Sequence, residues 1–156
     1  MMRRAGKFGW WSVLYALPLA YLMASLTPAS YWYDAGTMII PDANEYAPVI
    51  IDYDGGAKRE FTGAYSVVVR NIRNQQVVCD ASGGPFTYKP DAVYPAPLTL
   101  SWWAPSDARC SALPEGAYLV ETCWGIRNIF WGLVPAKAIC TTSNPFNVVR
   151  KEKGGM

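Results

Sequence analysis

The chain has 156 residues, of which 51% are hydrophobic and 14% aromatic; it contains no histidine and carries a formal charge of +2. Without histidine there is no Ser-His-Asp or Cys-His nucleophile system, and the commonest metal ligand is missing. The charge is unevenly spread: Arg3, Arg4 and Lys7 give +3, residues 34–149 hold eleven acids against eight bases, and the last residues from Arg150 give +2. The bulk of the chain is therefore mildly acidic, and nucleic acid is not an expected partner.

Residues 1–7 read as a short basic tail. No charged residue occurs between Lys7 and Asp34. A bilayer core of roughly 30 Å takes about 20 apolar residues in a helix, and residues 8–27 match that requirement. Trp10 and Trp11 mark one border of the run, and Tyr31, Trp32 and Tyr33 the other, as expected of rings at headgroup level. Trp11 and Tyr31 would stand about 30 Å apart in a continuous helix. Pro18 predicts a kink or a local adjustment. Bases before the run and acids after it orient the N-terminus to the cytoplasm and the rest outside. The competing reading is a signal peptide cleaved near Ala29, at Thr27-Pro28-Ala29. The length of the run and its distal aromatic cluster favour an uncleaved signal-anchor in the cell membrane.

Residues 28–46 are expected to form a polar stalk with a short strand near residues 37–40. Short β-like runs follow at residues 48–53, 63–72, 76–79, 86–88, 98–104, 117–126, 137–141 and 146–149. Between them lie turn residues, among them Asp54-Gly55-Gly56 and a Gly-rich break over residues 81–85. Asp52-Tyr53-Asp54-Gly55 weakly suggests a calcium loop, but the full ligand series is missing and a hairpin turn accounts for it equally well. Many short strands with Pro/Gly punctuation predict an all-β fold, an antiparallel β-sandwich over residues 47–149. Residues 150–156 read as a solvated basic tail.

Side chains alternate along a strand. In residues 117–126, Tyr118, Val120, Thr122, Trp124 and Ile126 share one face, and Cys123 lies on the other. Four cysteines, Cys79, Cys110, Cys123 and Cys140, all lie beyond the apolar run; an even number in a small exported domain predicts two disulfides. Zinc is disfavoured, because there is neither a Cys-x-x-Cys pair nor a histidine. Four cysteines allow three pairings. If residues 117–126 and 137–141 form a hairpin, Cys123 can face Cys140, which leaves Cys79 with Cys110.

Gly116-Ala117-Tyr118 opening a strand, Trp102-Trp103, and the closing run Ser143-Asn144-Pro145-Phe146-Asn147-Val148 carry a resemblance. Over residues 47–149 the chain resembles the immunoglobulin/fibronectin-III family of sandwiches. It departs from the antibody type, in which the tyrosine lies two residues before a cysteine; Tyr118 lies five before Cys123. The layout of a single anchor followed by such a sandwich also looks like that of small bacterial or phage envelope proteins. The resemblance implies architecture and supplies no catalytic residue.

Residues 124–134 are rich in apolar side chains and connect two expected strands. Arg127, Ile129, Phe130, Trp131 and Leu133 are the candidate partner-binding residues, since exposed apolar surface of this size marks a contact; folding back to close the domain is the alternative. Trp102 and Trp103, adjacent on an expected strand, should point to opposite faces, one to the core and one outward, where it could stack on a ligand. The scattered acids form no pair of the kind a glycosidase needs. These features predict a non-catalytic, membrane-anchored binding or assembly module of the cell envelope. It would need no cofactor and would have a membrane and a protein partner. The alternative is a secreted structural, surface or virion protein.

Overall fold

A computed structural model describes residues 9–127 and 129–150, apart from the side chains of Trp11, Phe130 and Trp131. The expectations for residues 1–7, for Phe8 and for residues 151–156 lie outside the described residues. The first element is helix α1 (Trp10–Leu26), 17 residues long, with Pro18 accommodated inside it. Pro28 biases the preceding residue toward extended backbone. Thr27 has ψ 125°, and the helix stops there, with the Thr27 hydroxyl donating to the Met23 carbonyl at 3.0 Å. The helix is thus shorter than residues 8–27. Among the described residues no helix is long and apolar enough to cross a membrane. Tyr31 sits on a separate 3-10 turn, Ala29–Tyr31, so Trp11 and Tyr31 are not the two ends of one helix.

The rest is mostly β. In chain order come β1 (Tyr33–Asp34), β2 (Met38–Ile39), β3 (Ala43–Asn44), β4 (Ile50–Tyr53), β5 (Gly56–Ala57), β6 (Phe61–Asn71), β7 (Val77–Tyr88) and β8 (Leu98–Thr99). The one-turn helix α2 (Leu100–Trp103), β9 (Gly116–Arg127), β10 (Lys137–Thr142) and β11 (Phe146–Val149) complete the set. The large sheet runs β3-β11-β9-β6-β7, with β10 also on β9; the smaller one runs β2-β4-β8; β1 pairs with β5. Every pairing is antiparallel except β3 with β11. Both sheets contribute to one hydrophobic core, with Val67, Val69, Val120 and Val148 from the large sheet and Met38 and Ile51 from the small one. Along β9 burial alternates, with Tyr118, Val120, Thr122, Trp124 and Ile126 all inward, the face that period two predicts.

Three sequence expectations are corrected. Residues 28–46 are not a stalk leading to the fold: Tyr33, Met38 and Ile40 belong to the core. Asn144 binds both backbone groups of Ile40, its Oδ1 accepting from the N–H at 2.7 Å and its Nδ2 donating to the carbonyl at 2.9 Å. Asp42 likewise accepts from the Asn147 N–H at 2.7 Å. These bonds tie the segment to the far end of the chain, a pairing that no local pattern announces. Next, residues 81–85 do not break the strand; β7 runs through them to Tyr88, and the register against β6 shifts between Gly63 and Tyr65. Gly84 lies at φ +128°, and a Cβ there would sit 2.8 Å from the Ala64 Cα, so only glycine fits this close approach. Last, residues 98–104 are not one strand. After Thr99 the chain turns into α2, because the Thr99 hydroxyl caps the helix by accepting from the Trp102 N–H at 3.3 Å.

The structure pairs Cys123 with Cys140 and Cys79 with Cys110. Cys123 and Cys140 are direct partners in the β9–β10 ladder, with Cα atoms 4.0 Å apart. The second bridge fastens β7 to the 3-10 turn Ala108–Ser111.

Candidate functional site

Aromatic side chains concentrate where β7, β9 and α2 meet. Phe86 and Tyr88 lie two residues apart on β7 and so share a face. Their rings stack on residues of β6: Tyr88 on Phe61 at 4.8 Å, Phe86 on Tyr65 at 6.1 Å. On the α2 turn the two tryptophans, with rings 6.2 Å apart, differ in burial. Trp103 is 6% exposed, and its indole N–H donates to the Thr122 hydroxyl at 2.9 Å; Trp102 is 51% exposed. The expected division of this pair is present, although a helical turn rather than a strand produces it. Tyr94 reaches back from the loop before β8, its ring 5.9 Å from Trp103 and 6.2 Å from Trp102.

Beneath these rings lies a hydroxyl network. Tyr33 OH is 2.9 Å from Tyr53 OH and 3.4 Å from Tyr94 OH. A buried phenol needs such partners. Burial, and then these hydrogen bonds, raise the Tyr33 phenol well above its ordinary value; burial also raises Tyr53. Burial pushes Tyr88 up to about 12. These hydroxyls keep their protons at neutral pH.

The rings enclose a groove of about 400 Å³ on the β7 side of the large sheet, within the range of ligand sites. Trp103 and Trp124, both buried, are its innermost rings. Tyr65, Phe86 and Tyr88 reach it from β6 and β7; Tyr94, Trp102 and Pro105 reach it from the loop before β8, from α2 and from just after α2. No charged residue is among the described residues that line it. Tyr65, Tyr88 and Trp102 line this space, and among the described residues neither their two phenol hydroxyls nor the Trp102 indole N–H has a hydrogen-bond partner in the protein. Such a site can stack flat apolar groups and donate hydrogen bonds. Among the described residues its lining includes no carboxylate, ammonium or thiolate.

The expected contact residues are not brought together as one surface. Ile129 is 6% exposed and belongs to the core, so it is corrected from contact to packing; Val134 is buried with it. Leu133 is 69% exposed. Arg127 is exposed and lines a shallow depression with Ser66 and Ser82. The Phe130 and Trp131 side chains lie outside the described residues. Of the expected membrane-border rings, Trp10 is exposed, the Trp11 side chain is not described, and Tyr31 is exposed with the Arg59 guanidinium 4.2 Å above its ring. Trp32 is half-buried against the core. Tyr33 is fully buried, its ring 4.5 Å from that of Trp124. It is therefore a core residue: pairing of β1 with β5 turns it inward.

Two metal-like clusters have ordinary roles. Glu121 lies near Cys123 and Cys140, but the two sulfurs are bonded to each other and offer no thiolate. Asp54 accepts from both the N–H and the hydroxyl of Thr37, which holds its carboxyl below the usual range. Sequence reasoning singled out Trp102 and missed Tyr65, Phe86, Tyr88, Tyr94 and Pro105. The available signal was the Phe-x-Tyr spacing at residues 86–88, which places two rings on one side of a strand. In comparison with known proteins, no family model, no curated protein and no solved structure matches this chain.

Proposed function

We propose that this protein is a membrane-anchored, extracytoplasmic binding or assembly module of the cell envelope that works without turnover. The observation that carries the reading is the aromatic groove, an open, uncharged recess on a disulfide-stapled sheet. Disulfides form in oxidising compartments, and rigid aromatic surfaces of this kind serve recognition.

Anchoring is supported by the character of α1. Val13, Leu14, Leu17, Leu19, Leu22, Met23 and Leu26 are all exposed, and at about 100° per residue they are spread around the whole helix. A helix that is apolar all round belongs in an apolar medium. Its 17 residues rise about 26 Å, less than the roughly 30 Å of a bilayer core, so the anchor reading rests on the apolar surface of α1 and not on its length. The Lys137 ammonium donates to the Ser25 carbonyl at 2.6 Å, which ties the end of the helix to β10 and favours the anchored form over one released near Ala29.

We read the architecture as an immunoglobulin-like sandwich. The succession β11-β9-β6-β7 corresponds to the G-F-C-C′ order of that fold, faced by β2-β4-β8. The Tyr118 hydroxyl donates to the Pro114 carbonyl at 2.9 Å, the contact that defines a tyrosine corner.

The test is photocrosslinking in cells. A benzophenone amino acid replaces Trp102 in one sample and Arg73, at the β6–β7 turn, in another. Adducts from position 102 alone, in a protein that resists alkaline extraction from membranes, are the expected result. Equal labelling from both positions, or none from 102, overturns the assignment of the groove. Release by alkali overturns the anchor.

A further inference from the structure

We propose that the groove receives an uncharged proline-rich segment in the polyproline II conformation. This rests on the reading of the groove as the binding surface and adds the chemistry of its ligand.

The argument is one of complementary groups. The lining offers flat rings in two sets, Tyr65, Phe86 and Tyr88 against Tyr94 and Trp102, with Pro105 beside them. The polar side-chain groups of its aromatic lining are three phenols and the indole N–H groups of Trp102, Trp103 and Trp124, of which Trp103 already donates to Thr122; no carboxylate and no side-chain amide is among the described lining residues. Hydroxyls can accept as well as donate, but none of these groups is a dedicated acceptor. A neutral sugar exposes many hydroxyl donors and needs such acceptors. An ordinary extended peptide has an N–H at every residue to satisfy. A proline-rich segment has the opposite balance. It lacks N–H groups at proline, presents free carbonyls, and carries flat apolar rings. In polyproline II its carbonyls make no internal hydrogen bonds, so donors in the groove can reach them.

Conformational entropy points the same way. Proline-rich segments are already ordered before they bind, and aromatic-lined grooves are the surfaces that take them. The absence of charge among the described lining residues disfavours a ligand that would bury an unpaired ion there. Burial raises the Tyr65 and Tyr88 phenols, which keeps both as donors across the physiological range.

The experiment uses the full chain in lipid nanodiscs and a fluorescein-labelled, amidated decaproline, read by fluorescence anisotropy. A Gly-Ser decapeptide with the same label and unlabelled chitotetraose serve as competing chemistries. Saturable binding of decaproline is expected, without binding of the Gly-Ser peptide and without displacement by chitotetraose. Trp102→Ala, at an exposed position, should weaken it by about tenfold, the equivalent of about 1.4 kcal/mol. Tyr88→Phe, which keeps the ring and removes only the hydroxyl, should weaken it several-fold. Near-ultraviolet circular dichroism confirms that both variants are folded. No saturation at millimolar peptide overturns the proposal, as does equal binding of the Gly-Ser peptide, displacement by chitotetraose, or indifference to Trp102→Ala. Crosslinking from position 102 in cells together with silence toward decaproline overturns this ligand chemistry and leaves the binding-module reading standing.

Discussion

Near the end of α1 the core is aromatic. Tyr33, Tyr53, Phe61, Trp103 and Trp124 meet ring to ring, and the Trp124 ring lies 4.5 Å from that of Tyr33 and 5.7 Å from that of Tyr53 in tilted and stacked pairs. Toward the opposite end it is largely aliphatic, with Val69 facing Val120 across the ladder and Leu113 and Val148 buried near the Tyr118–Phe146 pair. Branched aliphatic side chains interlock and fill space. Flat rings pack edge to face, and phenols need polar partners, so the aromatic end keeps a seam that opens as the groove. The difference teaches that rigidity and an open recess share one origin here: the residues that hold the sheets together at that end also line the recess.

The sharpest way to break the comparison is to remove the central ring. Trp124→Ala should cost about 3–5 kcal/mol in chemical denaturation, against about 2 kcal/mol for Val120→Ala at the aliphatic end. Equal costs would mean that the aromatic end is not one packed unit. Next in size are the bridges. Replacing either cysteine pair by alanine should cost about 3–4 kcal/mol by loop-closure entropy. The sequence separations are 31 and 17 residues, so loss of Cys79–Cys110 should exceed loss of Cys123–Cys140 by about 0.5 kcal/mol. A reversed order in thermal melts would show that the cross-strand bridge holds the β10 edge more than chain entropy implies.

A smaller effect is expected at Tyr118: Tyr118→Phe keeps the ring and loses the bond to the Pro114 carbonyl, at a cost of about 1 kcal/mol. The pH dependence then separates the two ends without a large change at neutrality. The Tyr33 phenol is raised in the folded state, chiefly by burial, so the unfolded chain releases its proton first. Its contribution is complete below the ordinary tyrosine value of about 10 and is lost as pH rises above it. Tyr33→Phe should flatten the alkaline fall in stability measured by urea titration between neutral pH and strongly basic solution. An unchanged slope would remove Tyr33 from the account.

Much of this was legible in the sequence wherever the signal was local. The inward face of β9 followed from period two in residues 117–126, and the facing of Cys123 and Cys140 followed from treating two runs as a hairpin. Tyr31, Trp32 and Tyr33 show where local reading stops. A three-residue aromatic cluster after an apolar run looks the same whether its rings meet headgroups or a core. Tyr33 goes inward because β1 pairs with β5, more than twenty residues away. The groove was hidden for the same reason, since its aromatic rings come from β6, β7, β9, α2 and the loop before β8.

The sequence by itself determined the apolar α1, the β-rich remainder and the two-disulfide count, because each depends on composition or on a short repeat. Tertiary structure alone decided that residues 28–46 belong to the core, that Ile129 packs inward while Leu133 stays exposed, and that five distant aromatic residues join Trp102 around one recess. Those outcomes depend on which strands become neighbours. Neighbourhood is set by the summed burial of the whole chain and is not written in any one stretch of it.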